Sequence, residues 1–380
     1  MVSRALKTGK LHIWVPELIA REGGIQSYSI EMVEAAVEIL GPERVTVLSK
    51  SDDPAALELW ASGRFDSAAC GHFPLPMRTL AFGELLLRKG LQTEPDLIVT
   101  THANFSPVAR SLYGLRRIPT AVSAHGIEVW DLEHGSTRSG ILAADTILPV
   151  SDYTKNRLKE ELGLPEDRFQ VIPDTFDPVR FSPGPGSNRL RERYRLQSSD
   201  KVLLCVSRLE ASENYKGYRQ ILEVLPSLSR RVPGLKFLLV GRGNDRPNVE
   251  NQIRRLGLYD QVILTGFVSS QELADHYRIA HAFAMPSKRE GFGIVYLEAM
   301  GCGKRCLGGN KDAAVDALRH GELGILVDPD NLAELEEGLF RLLTETTPSP
   351  QEIHDRANRY FGREEFRKKV KQLLESFGLR

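Results

Sequence analysis

Short, continuous apolar runs recur along the chain in two series, and longer segments of helical character separate most of them. Runs of this length that end in turn or polar residues are typical of parallel strands buried on both faces. The sequence therefore predicts an α/β protein with helices covering parallel sheets. The first series is "LHIWVP", "VTVLS", "DLIVTT", "TAVSAHG", "TILPVS" and "FQVIPD", and the second is "KVLLCVSR", "LKFLLVG", "QVILTG", "HAFAMPS", "KRCLGG" and "GILVDP".

Two series of strands indicate two doubly wound, Rossmann-like domains rather than one very wide sheet. A length of 380 residues also suggests about two domains. Helices are expected at 26–40, 152–162, 216–231, 269–280 and 332–344, with a long charged helical segment at about 350–379.

The seam between the series is "FDPVRFSPGPGSNRLRERYRLQSSDK", which is rich in Pro and Gly and typical of an extended linker. We place an N-terminal domain at 1–182, a C-terminal domain at 183–360, and a C-terminal helix at 361–380 that packs back on the first domain. Because ligands of open α/β sheets bind outside the carboxyl ends of the strands, the two domains are expected to face one interdomain cleft.

Composition excludes several classes of protein. Lys+Arg and Asp+Glu are balanced at 50 each, so no net field favours nucleic acid. The first residues resemble a strand rather than a secretory signal, and no apolar stretch approaches the roughly 18 residues of a membrane span. Cys302 and Cys306 lack a second ligand pair and are expected to be small buried hydrophobes. A cytoplasmic protein is expected.

Two candidate features follow strands of the first domain. Gly23 and Gly24, at the expected start of a helix, would let backbone amides approach an anion, although an ordinary turn explains them equally well. His125 and Gly126 follow the run "TAVSA". A lone histidine is more often structural than catalytic, but the position of His125 at the carboxyl end of a strand makes a catalytic role less improbable than for an average histidine.

In the second domain, Arg208 ends the first strand and Lys216 follows eight residues later. Each residue alone could be a solvated surface charge, but together in a strand-to-helix loop they could neutralise a diphosphate. Gly241 follows the next strand, in the segment "LLVGRGNDR". This segment lacks the third glycine of a dinucleotide-binding motif, and no acidic residue clearly follows at the expected spacing, so a nicotinamide cofactor is not indicated.

The segment "SKREGFGIVYLEAMGCGK" contains two glutamates in different local structures. Glu290 is expected in a loop, and Glu298 inside the helix that follows. Gly291 and Gly293 would expose amides at the helix start, where phosphate or sugar oxygens are favoured. Glu298 could accept hydrogen bonds from a diol such as a ribose, and Glu290 from a second polyhydroxylated group.

Asp328 and Asp330 resemble a metal-binding acidic pair. A helix start explains them more economically, with Asn331 as the cap and Glu334 closing a capping box. We therefore expect no metal here.

These motifs resemble glycosyltransferase family 4, whose members have the GT-B fold. The specific match is "PSKREGFGIVYLEAMGCGK", with its two glutamates separated by seven residues, and "FVSSQELADHYRIAHAFAMPS", "GNKDAAVDAL" and "GILVDPDN" extend it, so that the resemblance covers nearly the whole chain. The sequence departs from the family pattern at Cys302 and in the run Lys304-Arg305-Cys306, where small, proline-containing residues are commoner.

The resemblance implies a retaining, metal-independent transfer, without any cofactor, from a nucleoside-diphosphate sugar to an acceptor hydroxyl. The acceptor could be a saccharide, a lipid-linked saccharide or a small molecule, and peripheral association with the inner face of a membrane is compatible with this. The first domain would bind the acceptor and the second the donor.

The resemblance also assigns roles. Glu298 would hold the ribose, and Glu290 with the amides of Gly291, Phe292 and Gly293 would hold the donor sugar and distal phosphate. Arg208 and Lys216 would stabilise the leaving diphosphate, and His125 would face the sugar ring. Gly23 and Gly24 would form the diphosphate loop, and the backbone near Gly241 and Val268 would meet the base.

Two alternatives remain open. A sugar-nucleotide epimerase or hydrolase of the same fold needs no acceptor. A non-catalytic sugar-nucleotide binding protein would keep the glutamates but lack a cationic pair such as Arg208 and Lys216.

Overall fold

The computed structural model describes residues 9–380, which form two compact units. One unit contains the described residues up to Asp174 together with Glu364–Arg380, and the other is Thr175–Arg363. The division falls before the Pro/Gly-rich stretch because the two phenylalanines at its start, Phe176 and Phe181, pack into the second unit. A side chain at Gly301 would lie 2.6 Å from the Phe176 ring, and Phe181 contacts Tyr277 with ring centroids 6.0 Å apart.

The first unit is built on a six-stranded parallel sheet in the order β3-β2-β1-β4-β5-β6. Its strands are β1 (Leu11–Val15), β2 (Val45–Ser49), β3 (Asp66–Ala69), β4 (Leu97–Thr100), β5 (Thr120–Ala124) and β6 (Thr146–Pro149), and its helices are α1 (Gly24–Leu40), α2 (Pro54–Ala61), α3 (Leu75–Thr93), α4 (Ser106–Arg116), α5 (Ser136–Ala143) and α6 (Asp152–Leu162). The strand order reverses between β1 and β4, and such reversals create the ligand crevice in doubly wound sheets.

Five of the six predicted strands of this unit are present, and one prediction is wrong. The run "FQVIPD" forms no strand: Phe169 makes an isolated bridge to Ile147, and Ile172 is buried without strand pairing of its own. The missed strand is β3, which lies at the sheet edge. Asp66 at its start is exposed, and polar or small residues are tolerated at an edge.

The second unit repeats the architecture with the sheet order β12-β11-β10-β7-β8-β9. Its strands are β7 (Lys201–Val206), β8 (Leu235–Val240), β9 (Val262–Gly266), β10 (Ala282–Met285), β11 (Arg305–Gly309) and β12 (Ile325–Val327), and its helices are α7 (Asn188–Arg193), α8 (Tyr218–Arg231), α9 (Arg246–Leu256), α10 (Ser270–Ile279), α11 (Ile294–Gly301), α12 (Ala314–Ala317), α13 (Leu332–Thr344) and α14 (Pro350–Phe361). Here the order reverses between β7 and β10.

The predicted linker is not wholly extended, because α7 lies inside it. Ser187 caps this helix by accepting the Leu190 N–H, and the Leu190 side chain is fully buried. The neighbouring prolines and glycines favoured an extended linker, and a single buried leucine with one capping serine was too weak a signal to predict a helix.

The long C-terminal segment forms two helices, α14 and α15 (Arg363–Ser376), which are separated at Gly362. Helix α15 packs within the first unit, where Phe366 meets Tyr28 edge-on at 5.6 Å and Arg367 pairs with Glu38 at 2.9 Å. Among residues 9–380, no helix has the length and hydropathy needed to cross a membrane.

Candidate functional site

The predicted donor-site residues cluster where the strand order of the second sheet reverses. Arg208 and Lys216 lie in the loop after β7, and Glu290 lies in the loop after β10, the strand that pairs with β7. Since parallel strands end at the same edge of a sheet, these loops are neighbours at the crevice expected from the topology.

Lys216 and Glu290 form a largely buried ion pair. The Nζ of Lys216 contacts Oε1 of Glu290, and the two side chains are only 14% and 13% exposed. Burial alone would lower the pKa of Lys216, but the charge of Glu290 outweighs it and raises that pKa, so Lys216 remains a cation. The structure thus places a fixed positive charge beside a carboxylate at the carboxyl edge of the sheet.

Asp312, which the sequence did not single out, fixes the backbone of Glu290. Its Oδ2 accepts the Glu290 N–H at 2.7 Å and its Oδ1 accepts the Ala314 N–H at 3.0 Å, while the Ala313 N–H donates to the Glu290 carbonyl at 3.1 Å. Burial and the nearby Glu290 charge raise the pKa of Asp312 to about 6. The glutamate loop is therefore tied to the segment after β11 by two hydrogen bonds, and the third holds Asp312 within that segment.

Arg208 is more exposed than Lys216. Its side chain is 72% exposed, and Nη2 pairs with Glu213 Oε1 at 2.6 Å. Arg208 would have to share or leave this carboxylate to meet a diphosphate.

The start of α11 presents main chain rather than side chains. Gly293 has φ +93°, a left-handed conformation that favours glycine, and α11 begins at the next residue. The ring of Phe292 is buried against Phe361, with centroids 5.4 Å apart. A role of residues 291–293 toward a ligand would therefore belong to their backbone.

Glu298 lies inside α11 and is half-buried. Burial raises its pKa to about 7, although the Tyr277 hydroxyl, which donates to Oε2 at 2.8 Å, opposes that rise. Glu298 is thus held in position by Tyr277 and changes charge near neutral pH.

The predicted base-binding residues have different environments. Gly241 has φ +145°, and a Cβ there would lie 1.8 Å from the Ser207 carbonyl oxygen, so close packing of two backbone segments already requires glycine. Val268 is half-buried in the loop after β9. Next to it the exposed Phe267 ring lies under the Arg242 guanidinium, with 4.6 Å between them. Sequence reasoning missed this aromatic–cation pair.

The acidic pair Asp328 and Asp330 is engaged by lysines. Lys311 contacts Asp328 at 2.6 Å and Asp330 at 2.8 Å, and Lys288 contacts Asp330 at 2.7 Å. Asn331 caps α13, as predicted, by accepting the Glu334 N–H at 3.2 Å.

The predicted capping box is not closed in the expected way. The Glu334 carboxylate accepts the N–H of Asp328 at 3.0 Å, while the Asn331 N–H donates to the Asp328 carbonyl. The turn at 328–331 brings a different amide to Glu334. Among the residues that the structure describes, no group of three or more His, Cys, Asp or Glu side chains is arranged to hold a metal ion.

Comparison with known families and sequences identifies the chain. The family model described as "Glycosyltransferase Family 4" matches residues 22–180, and that described as "Glycosyl transferases group 1" matches residues 187–360. A GDP-mannose-dependent alpha-(1-6)-phosphatidylinositol monomannoside mannosyltransferase of Mycolicibacterium smegmatis is 30% identical over 345 residues, covering 86% of this chain and 87% of that protein. The chain belongs to glycosyltransferase family 4.

Other similar proteins agree with this assignment. The D-inositol 3-phosphate glycosyltransferase of Nocardiopsis dassonvillei is 27% identical to this family 4 glycosyltransferase, covering 85% of this chain and 82% of that protein. Two solved structures, each 19% identical, share the fold: Anabaena Alr3699/HepE in complex with UDP (TM-score 0.78, 97% of this chain and 100% of that chain) and sucrose-phosphate synthase from Thermosynechococcus elongatus (TM-score 0.80, 97% and 98%). The fold is GT-B, as the resemblance implied.

In the first unit of this family 4 glycosyltransferase, His125 follows β5 and its ring is fixed. Nε2 lies 2.8 Å from the Thr101 carbonyl oxygen, which can only accept, so Nε2 carries the proton and Nδ1 is an acceptor. The main-chain N–H of His125 donates to Glu128 at 2.5 Å, and the Tyr28 ring stands edge-on at 4.9 Å. Burial lowers the pKa of His125 to about 4, so the imidazole is neutral at pH 7.

Gly23 and Gly24 lie at the start of α1, as predicted. Gly23 is extended, and a Cβ there would meet only the end of the flexible Gln26 side chain, at 2.6 Å. Gln26 in turn donates to Glu17 at 2.6 Å, which brings a carboxylate close to the first turn of α1. Anion binding at this pair stays a prediction.

His102 is a candidate that sequence reasoning missed in the first unit. It follows β4, where the strand order reverses, and its Nδ1 accepts the Asn104 N–H at 3.2 Å. Burial lowers its pKa. The available signal was its place directly after the apolar run "DLIVTT", the same signal that drew attention to His125.

Proposed function

We propose that this glycosyltransferase transfers a sugar from a nucleoside-diphosphate sugar to an acceptor hydroxyl, with retention of the anomeric configuration and without a metal ion. The observation that carries the proposal is the buried ion pair of Lys216 and Glu290 at the strand-order reversal of the second sheet. It lies in the same loop as the amides of residues 291–293, which precede Glu298 in α11.

The proposed chemistry follows the charge that develops as the bond breaks. Cleavage of the bond between the anomeric carbon and the phosphate oxygen leaves negative charge on the diphosphate and positive character on the sugar. Lys216, kept protonated by Glu290, and Arg208 are the cations that would stabilise this leaving group. A preorganised charge at such a position contributes several kcal/mol to transition-state stabilisation.

Retention is proposed to follow a front-face path, in which the leaving phosphate oxygen takes the proton of the acceptor hydroxyl. The Lys216 ammonium bonded to Glu290 makes that carboxylate a poorer nucleophile, which disfavours a covalent glycosyl intermediate. In this proposal Glu290 holds the sugar hydroxyls, and Asp312 keeps its backbone in place.

Metal independence is supported by the electrostatics of Asp328 and Asp330. Both carboxylates are already paired with lysines, Lys311 and Lys288, and these ion pairs lower the pKa of each. A divalent cation would have to displace those ammonium groups. In this proposal no metal ion is needed to neutralise the leaving diphosphate, because Lys216 supplies the positive charge.

GDP-mannose is the first donor to test, because the mycobacterial relatives that are 30% identical to this chain are named as GDP-mannose-dependent enzymes. Those names also contain a phosphatidylinositol monomannoside, so a lipid-linked acceptor at a membrane surface belongs in the acceptor panel beside small polyols and free saccharides.

The test is an acceptor-dependent transfer assay with GDP- and UDP-sugars, in excess chelator, followed by NMR of the product anomer. We expect transfer only when an acceptor is present, an unchanged rate in chelator, and an α-linked product from an α-linked donor. Conversion of the donor without an acceptor would indicate an epimerase or hydrolase. Activity that chelator abolishes and manganese restores would overturn metal independence.

A further inference from the structure

One pocket of the second unit lies away from the candidate donor site. It has a volume of about 170 Å³ and is lined by the start of β11, the turn before β12 and the residues around the start of α14. Arg305 is the first residue of β11, and Gly309, at its other end, approaches the Ser287 carbonyl of the donor-site loop. At about 3.3 Å per residue, the two ends of this strand are about 13 Å apart.

Arg305 has an unusual environment in this pocket. Its Nη1 is buried without a hydrogen-bond partner, and within residues 9–380 the side chain makes no ion pair. Burial lowers its pKa, and only the charge of Glu345 opposes this. Arg305 is half-buried, and a buried N–H without a partner is costly, so the surroundings of its Nη1 favour an anionic partner.

Arg305 belongs to the run Lys304-Arg305-Cys306, where the sequence departs from the family pattern, and the other two residues of this run have ordinary structural roles. Lys304 donates from Nζ to the Arg278 carbonyl oxygen at 3.0 Å, and Cys306 is fully buried in the apolar core. The positive charge at Arg305 is therefore the one part of this run that neither packing nor hydrogen bonding within the described chain accounts for.

The acidic groups around the pocket already bind other cations. Glu345 accepts from Arg341 at 2.9 Å. Glu322 accepts from the Tyr360 hydroxyl at 2.8 Å and pairs with Arg356 at 3.5 Å, and its carbonyl also accepts from Arg356 at 2.8 Å, which brings a second, already paired guanidinium to the pocket wall. Both carboxylates of the lining are therefore engaged, whereas the Nη1 of Arg305 is not.

We propose that this pocket binds a small oxyanion, a phosphate group, through the guanidinium of Arg305 with Arg356 beside it. Arginine presents its N–H groups as a planar fork that matches two phosphate oxygens. A pocket of about 170 Å³ has room for phosphate or a small monoester.

The test measures phosphate binding at constant ionic strength set with chloride, by thermal denaturation and by ³¹P NMR line broadening. We expect a saturable rise in Tm for the wild-type protein. Arg305→Met should bind phosphate at least about tenfold more weakly, the loss expected for a charged hydrogen bond. Arg305→Lys, which keeps the charge but not the fork, should fall between them, and Arg246→Met, an exposed arginine of α9, should behave as wild type.

Binding at the donor-site cations is separated by Lys216→Ala. This variant should keep the phosphate-dependent rise in Tm; a loss in Lys216→Ala together with normal binding in Arg305→Met would overturn the proposal. In chloride alone, Arg305→Met should be at least as stable as wild type because it removes a half-buried charge whose Nη1 has no partner, and a clear loss of stability would mean that Arg305 supports the fold instead.

The same titration with glycerol 3-phosphate identifies the source of the phosphate group. Tighter binding of the monoester than of inorganic phosphate would assign the site to a phosphorylated metabolite, and the reverse order would assign it to the free ion. If neither ligand raises the Tm of the wild-type protein, the pocket is not an oxyanion site.

Discussion

The two units of this glycosyltransferase share one strand order but differ in what they place where that order reverses. In the second unit, the loop after β10 contains Glu290, in a buried ion pair with Lys216. In the first unit, the loop after β4 contains His102, whose pKa is lowered by burial, and Thr101, whose carbonyl accepts from the neutral His125. One edge is built around fixed charge and the other around neutral hydrogen-bonding groups.

The loops of the first unit are also held by internal bonds. The fully buried Asp52 accepts the N–H groups of Leu18, Ile19 and Ala20 at 2.7–2.9 Å, which fixes the loop after β1. In the second unit the corresponding carboxylate, Asp312, holds a charged residue rather than a plain loop. A buried aspartate that accepts backbone N–H groups therefore stabilises the loop after β1 in the first unit and positions the charged Glu290 in the second.

This difference fits the proposed division of labour. A leaving diphosphate needs a cation that remains charged, and a buried ion pair provides it. A hydroxyl acceptor needs neutral donors and acceptors, which the first unit offers.

Lys216→Ala should have the largest effect, because it removes the cation of the charged edge. We expect kcat to fall by about 10²–10³-fold, as for other transition-state charge stabilisers, with a smaller change in KM. Steady-state kinetics of the purified variant test this. Lys236→Ala, which removes a lysine that donates to the Asp260 carbonyl, is the control and should keep the wild-type rate. A Lys216→Ala enzyme with a raised KM and normal kcat would remove the charge from the chemical step.

His125→Ala should have the next largest effect and tests the neutral edge. We expect a single-turnover rate lower by about 10²-fold, as misplacement at a reacting centre produces, with unchanged affinity for the free nucleotide. His125→Gln should recover part of the rate, since its amide can donate to the Thr101 carbonyl and still accept at the other atom.

The control for this pair is His134→Ala, an exposed histidine of the same unit. Melting temperature and rate are measured on the same preparations. If His125→Ala is destabilised yet turns over normally per folded molecule, His125 only braces the turn that contains Glu128.

Asp312→Asn should have a moderate effect. An asparagine can accept only one of the two N–H groups that Asp312 binds, so the Glu290 backbone loses its anchor or a donor faces a donor. We expect kcat to fall by about tenfold, a modest loss from looser positioning. Since the pKa of Asp312 is raised to about 6, the wild-type rate should also fall as the pH drops through 6 and Asp312 is protonated.

The matched variant for Asp312→Asn is Asp328→Asn, which alters a half-buried carboxylate of the same unit that does not contact Glu290. It should leave both kcat and the pH profile unchanged. Equal profiles for wild type and Asp312→Asn would assign the acid limb to another group.

The sequence predicted the buried strands well because a strand covered on both faces must be apolar throughout. It failed where that rule does not apply. The edge strand β3 is short and begins with polar residues. The run "FQVIPD" meets β6 only through an isolated bridge and two backbone hydrogen bonds, and α7 is a six-residue helix anchored by Leu190 inside a Pro-rich stretch. The helix break at Gly362 was missed because charge-rich segments of helical character lie on both sides of it.

For the site, the sequence could indicate residues that share one loop or one helix, such as Glu290 and Glu298. It could not indicate Asp312, which lies 22 residues from Glu290 and acts on its backbone, because main-chain contacts leave no spacing signature. Tyr277 could not be indicated either, because its hydroxyl reaches Glu298 from another helix, 21 residues away in the sequence.

The smallest expected effect concerns Glu298 and sharpens the contrast between charged and neutral edges, since this residue changes charge near neutral pH. Burial raises its pKa to about 7, so Glu298 is mostly neutral at pH 6 and mostly a carboxylate at pH 8. A ribose diol that donates two hydrogen bonds binds the carboxylate better, so binding would lower the pKa and affinity should rise with pH and level off above 8. Because the ionised fraction grows about tenfold between pH 6 and 8, tenfold is the upper limit of the effect. Calorimetry with guanosine, which has no phosphate to titrate, measures it, and Glu298→Gln should bind with no pH dependence. A wild-type affinity that is flat or falls over this range would place the ribose away from Glu298.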